Sequence, residues 1–121
     1  DILGHGLPTS PIHQIFAAKG IPVVVPPRSE VSTKDALRLV FEKNGAKLVE
    51  TATFQVERIF DSYEEYWSLS SKSNSVFPAL KSLDPKLIDE VRNELKANLD
   101  IDQQGRVKAT AHANAVKGYA G

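Results

Sequence analysis

Apolar residues recur at helical spacing in several stretches of the chain, and residues that start or stop helices bound each stretch. The clearest stretch follows a capping box at residues 32–35 and stops at Gly45, which predicts a helix over 33–44. A single apolar stripe after Asp-Pro predicts another helix over 85–98. Shorter stretches of the same kind predict helices over 11–19, 62–70 and 76–82.

Two long stretches, 47–59 and 107–117, instead alternate between apolar and polar residues, as a strand with one buried and one wetter face does. The apolar positions are Leu48, Ala52, Phe54 and Val56 in the first stretch and Val107, Ala109, Ala111, Ala113 and Ala115 in the second. The run of alanines indicates close packing against something bulky. We therefore expect an α+β fold in which the two stretches pair as antiparallel strands, with helices on one side or both.

A two-stranded ribbon is marginal on its own, so the predicted pair needs further support. The proline-rich stretch 20–27 could add a third strand or serve as a linking arm, because prolines disfavour helix in the residues before them. Alternatively, the pair lies at the edge of a larger sheet. The serine-rich tract 68–75 has few apolar residues and predicts a mobile connection, which makes it a candidate hinge.

Composition limits the chain to one folded unit. Its 121 residues, 41% hydrophobic and 25% charged, predict that 1–121 is a single globular domain or a fragment of one. Fifteen basic residues offset fifteen acidic ones, so no positive surplus favours a nucleic-acid partner. No apolar run is long enough to predict a membrane helix, and the absence of cysteine makes cytoplasmic the expected location. The chain has no methionine and begins with Asp1, so we expect a processed protein or a piece of a longer one.

The sequence predicts no catalytic residue and no metal site. His5, His13 and His112 lie on a terminal segment, a helix and a distant strand, without the spacing of metal ligands. The glycines at positions 4 and 6 lack the preceding strand that a phosphate-binding loop requires. No nucleophile elbow is present, and the paired carboxylates are expected to cap helices or to face solvent.

Aromatic residues concentrate between residues 54 and 77, where they include the single tryptophan. Packing of a short helix against a sheet is the role we expect first for them. A second role is the apolar wall of a substrate pocket beside the movable serine-rich tract. The candidate substrate-binding residues are Phe60, Tyr63, Tyr66 and Trp67.

Three short sequence motifs follow one another along the chain. Thr33, Leu37, Phe41 and Gly45 match Ser/Thr-x-x-x-Leu-x-x-x-Phe-x-x-x-Gly, and residues 60–67 match Phe-x-Ser-x-Glu-x-Tyr/Phe-Trp. Leu-Asp-Pro, an amphipathic helix and an alternating strand then close the chain. This order resembles the C-terminal half of class I S-adenosylmethionine-dependent methyltransferases of the ubiquinone-biosynthesis-type branch, from about residue 10 onward.

The resemblance implies the C-terminal part of a Rossmann-like sheet, with the last strand beside the sixth, and methyl transfer to a small-molecule substrate. The sequence lacks Glu/Asp-x-Gly-x-Gly-x-Gly after a strand. We therefore expect S-adenosylmethionine to be a cofactor of the intact protein only, and this chain alone to bind none and to be inactive. Whether the chain belongs to an enzyme stays open, because a stand-alone α+β binding or protein-interaction module is the alternative.

An unpaired sheet edge is a template for pairing with another chain. If the two predicted strands are not covered by a further strand, one of them presents such an edge. We therefore expect a homodimer or strand exchange through the sheet edge.

Overall fold

A computed structural model describes residues 5–23 and 25–121. It has an α+β fold with five α-helices and a three-stranded antiparallel sheet in the order β1-β3-β2. The elements are α1 (Ser10–Ala18), a 3-10 turn (Ser29–Ser32), α2 (Lys34–Lys43), β1 (Lys47–Phe60), α3 (Tyr63–Ser71), α4 (Phe77–Lys81), α5 (Pro85–Asn98), β2 (Asp100–Ile101) and β3 (Val107–Tyr119). The predicted α+β class and the predicted helices are confirmed, with ends that differ by at most one residue.

The predicted antiparallel pairing of the two long strands is confirmed. The register of β1 and β3 is regular from Glu50 opposite Lys117 to Phe60 opposite Val107. It is interrupted before Glu50, where Leu48 has a φ of 52°. The regular part of the pair is therefore an extended ribbon.

The third strand is β2, which pairs with the first residues of β3. The turn between them is tied by Asp102, whose Oδ1 accepts hydrogen bonds from the backbone N–H groups of Gln104 and Arg106, each at 2.9 Å. In the described residues of the proline-rich stretch, 20–23 and 25–27, no strand forms. The prediction of a third strand there is not met in these residues, and Val24 lies outside the described part of the chain.

Three helices begin at side chains that accept from the first free backbone N–H groups. Ser62 Oγ accepts from Glu65 N at 3.1 Å, and Asp84 Oδ1 accepts from Leu87 N at 2.8 Å, as predicted. For α2 the prediction is wrong by one residue. The cap is Thr33, whose Oγ1 accepts from Ala36 N at 3.2 Å, because Ser32 still belongs to the preceding 3-10 turn.

The serine-rich tract is not a mobile connection over its first half, and this prediction is wrong there. Helix α3 continues through Ser71, and Ser70 is buried. The Ser71 hydroxyl donates to the Ser68 carbonyl at 3.3 Å, since serine can satisfy backbone groups inside a helix as well as in a loop. Only residues 72–76 connect α3 to α4, and they do so through turns.

The core lies between the helices and one end of the ribbon, where Phe60 faces Val107. Its buried apolar residues come from α1, α3, α4, α5, the adjoining strand ends and two loop positions, Ile21 and Val76. They are Ile12, Ile15, Phe16, Ile21, Phe60, Tyr63, Tyr66, Val76, Ala79, Leu80, Val91, Leu95, Val107 and Ala109. The ribbon is thus anchored firmly at this end.

Away from that end, the ribbon face predicted to be buried is exposed. Phe54 is 60% exposed and Val56 is 62% exposed, and Ala113 opposite Phe54 is exposed as well. Helix α2 lies against the other face only near the start of the strand, where Arg38 reaches the Thr51 hydroxyl at 3.5 Å, and residues 53, 55, 57 and 59 of that face are exposed. Alternation identifies which residues share a face, and here it does not identify which face is covered.

Candidate functional site

The predicted substrate-binding residues lie at the junction of β1 and α3. Phe60 ends the strand, and the Ser62 cap starts the helix that carries Tyr63, Tyr66 and Trp67. The rings of Phe60 and Tyr66 are 5.1 Å apart between centroids and meet edge to face at 88°. Phe60, Tyr63 and Tyr66 are all buried, so each of them packs in the hydrophobic core.

The two tyrosine hydroxyls in this group are both engaged. Tyr63 Oη donates to the Arg92 carbonyl, and Tyr66 Oη donates to the Pro8 carbonyl, each at 2.6 Å. Burial raises the pKa of the Tyr66 phenol to about 12, and burial also raises the pKa of Tyr63. Both phenols are therefore neutral at physiological pH and act as hydrogen-bond donors rather than as bases.

Trp67 is half-buried at the rim of the core and lies beside a charged cluster. The Arg92 guanidinium carbon is 5.2 Å from the Trp67 ring centroid, and Arg92 Nη2 lies 2.8 Å from Glu64 Oε2. A groove of about 230 Å³ beside them is lined by Tyr63, Glu64, Asp89, Arg92, Asn93 and Lys96. Of the four predicted residues, Tyr63 lines this groove.

A second groove, of about 620 Å³, lies between three segments that are distant in sequence. Two of the three segments carry prolines, and all three carry hydroxyl groups. Its lining residues are Leu7, Pro8, Thr9, Val25, Pro26, Pro27, Ser29, Ser32, Ser73, Asn74 and Ser75. None of the predicted substrate-binding residues lines it, although the Tyr66 hydroxyl holds Pro8 in place at its wall.

Polar groups at this second groove were not identified from the sequence. The Ser73 hydroxyl is buried and makes no hydrogen bond with the part of the chain that the structure describes. Beside it, Ser75 Oγ lies 2.9 Å from Nε2 of the buried His13, whose pKa is lowered by burial and then by the charge of His5. His13 and Ser75 are 62 residues apart, and the only signal in the sequence was the density of serines in 68–75.

This second groove combines a proline-rich apolar surface with hydroxyl and amide side chains. The Ser73 hydroxyl is itself buried, so it is not presented to a molecule in the groove. The neutral His13 can hold the Ser75 hydroxyl in one orientation, but no carboxylate completes a nucleophilic triad in the described contacts of this pair. The arrangement therefore favours binding over nucleophilic catalysis.

The described residues contain no cluster of three or more histidine, aspartate or glutamate side chains placed to hold a metal ion. In the same part of the chain, no helix has both the length and the apolar character required to cross a membrane. Comparisons with models of protein families, with curated proteins and with solved structures find no match to this chain.

Proposed function

We propose that this chain is the C-terminal, substrate-facing portion of an S-adenosylmethionine-dependent methyltransferase that acts on a small molecule. The observation that carries the proposal is the position of the last strand. β3 returns antiparallel beside β1, with α2 before β1 and with α3, α4 and α5 between the two strands. This is the element order that the resemblance of residues 33–45 and 60–67 implies.

The proposed reaction is a displacement at the sulfonium methyl group of the cofactor. A bond forms between the acceptor atom and the methyl carbon, while the carbon–sulfur bond breaks and its electron pair stays on sulfur. Alignment of the acceptor with the methyl group supplies much of the rate of such a transfer. The cofactor would be held by a glycine-rich loop that these 121 residues do not contain, so the chain alone is proposed to be inactive.

The residues of this chain would bind and orient the acceptor. Phe60 and Tyr66 are buried and would support the site from behind, while Trp67 is half-buried and Tyr63 lines the groove of about 230 Å³ beside it. The second groove, which none of these four residues lines, is a separate surface of prolines and hydroxyl side chains. Apolar walls with few polar groups are typical of small-molecule sites.

The test begins with the coding sequence upstream of Asp1, which should encode a strand followed by a glycine-rich loop. The complete protein and the 121-residue chain are then titrated with S-adenosylmethionine by calorimetry. We expect micromolar binding by the complete protein and no measurable heat from the 121-residue chain. Micromolar binding by the 121-residue chain, or an upstream sequence without such a loop, would contradict the proposal.

A stand-alone interaction module is the second candidate, and one observation favours it. Phe54 and Val56, which are 60% and 62% exposed, share one face of the sheet with the exposed Ala52 and Ala113 and form a contiguous apolar face. Such a face is typical of a surface that another protein covers. An upstream sequence without a cofactor loop, together with no binding of S-adenosylmethionine by any form of the protein, would select this candidate.

A further inference from the structure

The outer edge of β1 is open within the described part of the chain. The strand order places β1 at one edge of the sheet, with β3 as its neighbour. Every residue from position 52 to position 59 is exposed, on both faces of the strand. The backbone N–H and C=O groups along this edge can therefore pair with another strand.

The molecule also has more surface than its mass requires. The accessible surface is 7894 Å², whereas a compact monomer of 13.3 kDa is expected to have about 6,500 Å². The excess of about 1,400 Å² exceeds the roughly 800 Å² that each partner contributes to a standard interface. Residues 52–59 of β1, all of which are exposed, contribute to this excess.

We propose that β1 pairs antiparallel with β1 of a second copy, about a twofold axis that passes beside Phe54. Directly opposite residues in antiparallel strands have side chains on the same face of the sheet. A twofold axis between two copies of one strand keeps this rule only if it passes between a residue and the same residue of the second copy. With the axis at Phe54, Glu50 lies opposite Arg58 of the second copy, and the symmetry makes this pair twice. Ala52 then lies opposite Val56 of the second copy, and the two Phe54 side chains meet.

The neighbouring registers lack this complementarity. An axis at Gln55 places Glu50 opposite Phe60 and leaves Arg58 opposite Ala52, while an axis at Thr53 places Glu50 opposite Val56. Residues 50–58, which would pair in the Phe54 register, all belong to the part of β1 that pairs regularly with β3. Charge complementarity is what favours this register over its neighbours.

The side chains that would form the contact already lie on one face. Arg58 is stacked over Phe60, with the guanidinium carbon 4.6 Å from the ring centroid, and Glu50 Oε2 is 3.4 Å from Lys117 Nζ. Pairing would give a six-stranded sheet in the order β2-β3-β1-β1-β3-β2 and would remove the open edge at β1. The contact is self-complementary and closed, so it ends at a dimer rather than continuing into a fibre.

The test uses charge reversal at both ends of the contact, with sedimentation equilibrium over a range of protein concentrations. Glu50→Arg places two arginines opposite each other, and Arg58→Glu does the same with two glutamates, so each variant should dimerise at least about tenfold more weakly than the native chain. An equimolar mixture of the two variants restores both opposite-charge pairs. We expect this mixture to form a heterodimer of nearly native affinity.

Glu57→Arg is the matched control, because it reverses a charge on the same strand at a position opposite the uncharged Thr51 of the second copy. Its dimerisation should change by less than about threefold. The double variant Glu50→Arg/Arg58→Glu should dimerise like the native chain, and circular dichroism checks that each variant is folded. A native chain that stays monomeric at all concentrations, or a mixture that forms no heterodimer, would overturn the proposal. Binding of S-adenosylmethionine has no bearing on either result.

Discussion

Tyr66 shows how a polar atom is accommodated at the centre of the core. Its side chain has no exposed surface, and its hydroxyl donates to the Pro8 carbonyl at 2.6 Å. This bond ties α3 to the segment before α1 across 58 residues of sequence. The hydroxyl therefore contributes to long-range structure as well as to the local packing of the ring against Phe60.

Tyr66→Phe should lower the free energy of unfolding by about 1 kcal/mol at neutral pH, because the Pro8 carbonyl loses its donor. The unfolded phenol has a pKa near 10 and the folded one about 12, so the native chain loses stability as pH rises from 10 toward 12. The difference between native chain and variant should therefore narrow above pH 10. Urea unfolding at several pH values measures both effects.

Tyr119→Phe is the control for this substitution, because Tyr119 is 55% exposed at the end of β3. Loss of the Tyr119 hydroxyl should change the free energy of unfolding by no more than about 0.5 kcal/mol. A Tyr66→Phe chain as stable as the Tyr119→Phe chain would show that the bond to Pro8 contributes nothing measurable.

Substitution of Trp67 in the complete methyltransferase proposed above can distinguish a packing role from a role in substrate binding. Trp67→Ala should raise KM with little change in kcat, because a wall that contacts the acceptor equally in ground and transition states affects binding alone. The ring is half-buried, so the substitution should cost no more than about 3 kcal/mol of stability. Steady-state kinetics and urea unfolding of the same variant separate the two effects.

Leu69→Ala provides a matched control on the same helix, because Leu69 is an exposed apolar residue of α3. It should leave KM unchanged. If Trp67→Ala is destabilised yet has a native KM once folded, Trp67 is a packing residue only.

At the scale of elements, the start of α3 depends on a reciprocal cap. Ser62 Oγ accepts from Glu65 N, and Glu65 Oε2 accepts from Asp61 N at 2.7 Å. Ser62→Ala should lower the free energy of unfolding by about 1 kcal/mol, because the first N–H groups of the helix lose an acceptor. Ser68→Ala, an exposed position within the same helix, should be neutral or slightly stabilising. Equal effects of the two substitutions in urea unfolding would exclude a capping role for Ser62.

The elements that the sequence predicted well are those with local signals. Caps and apolar stripes located α2 and α5, and alternation located β1 and β3. β2 was missed because two residues give no pattern, and its pairing depends on the turn that Asp102 ties. Ser70 fell both at the end of the predicted helix 62–70 and in the predicted connection 68–75, and tertiary packing buries it in α3. Short or tertiary-determined elements therefore lay outside what local signals could predict.

At the scale of the whole molecule, the sequence could not say which layers cover the ribbon. The alternating residues of β1 are the same whether a helix, a second copy or solvent faces Phe54. The sequence was also limited in what it could say about the candidate site. It indicated the aromatic cluster at residues 60–67, because these residues are close together in the sequence. It could not indicate the contact between His13 and Ser75, because the fold alone brings these two distant residues together.

The uneven covering of the ribbon predicts uneven stability along it. The end at Phe60 and Val107 is packed into the core, whereas α2, near the other end, has no fully buried residue. Local opening should therefore require less free energy near Ala113 than near Val107. In native-state hydrogen exchange at low protein concentration, amides at 107–109 should be protected more strongly than those at 113–117.

The comparison is made within one strand, β3, so differences in intrinsic strand propensity have little influence on it. The amides of Val91 and Leu95 in α5 serve as the reference for core protection, because both side chains are fully buried. If the proposed dimer forms, protection along 50–58 of β1 should rise with protein concentration, while protection at Val91 stays nearly constant. Equal protection along the whole of β3 would mean that the ribbon unfolds together with the core. It would contradict the prediction that the exposed part of the ribbon opens more easily than the buried end.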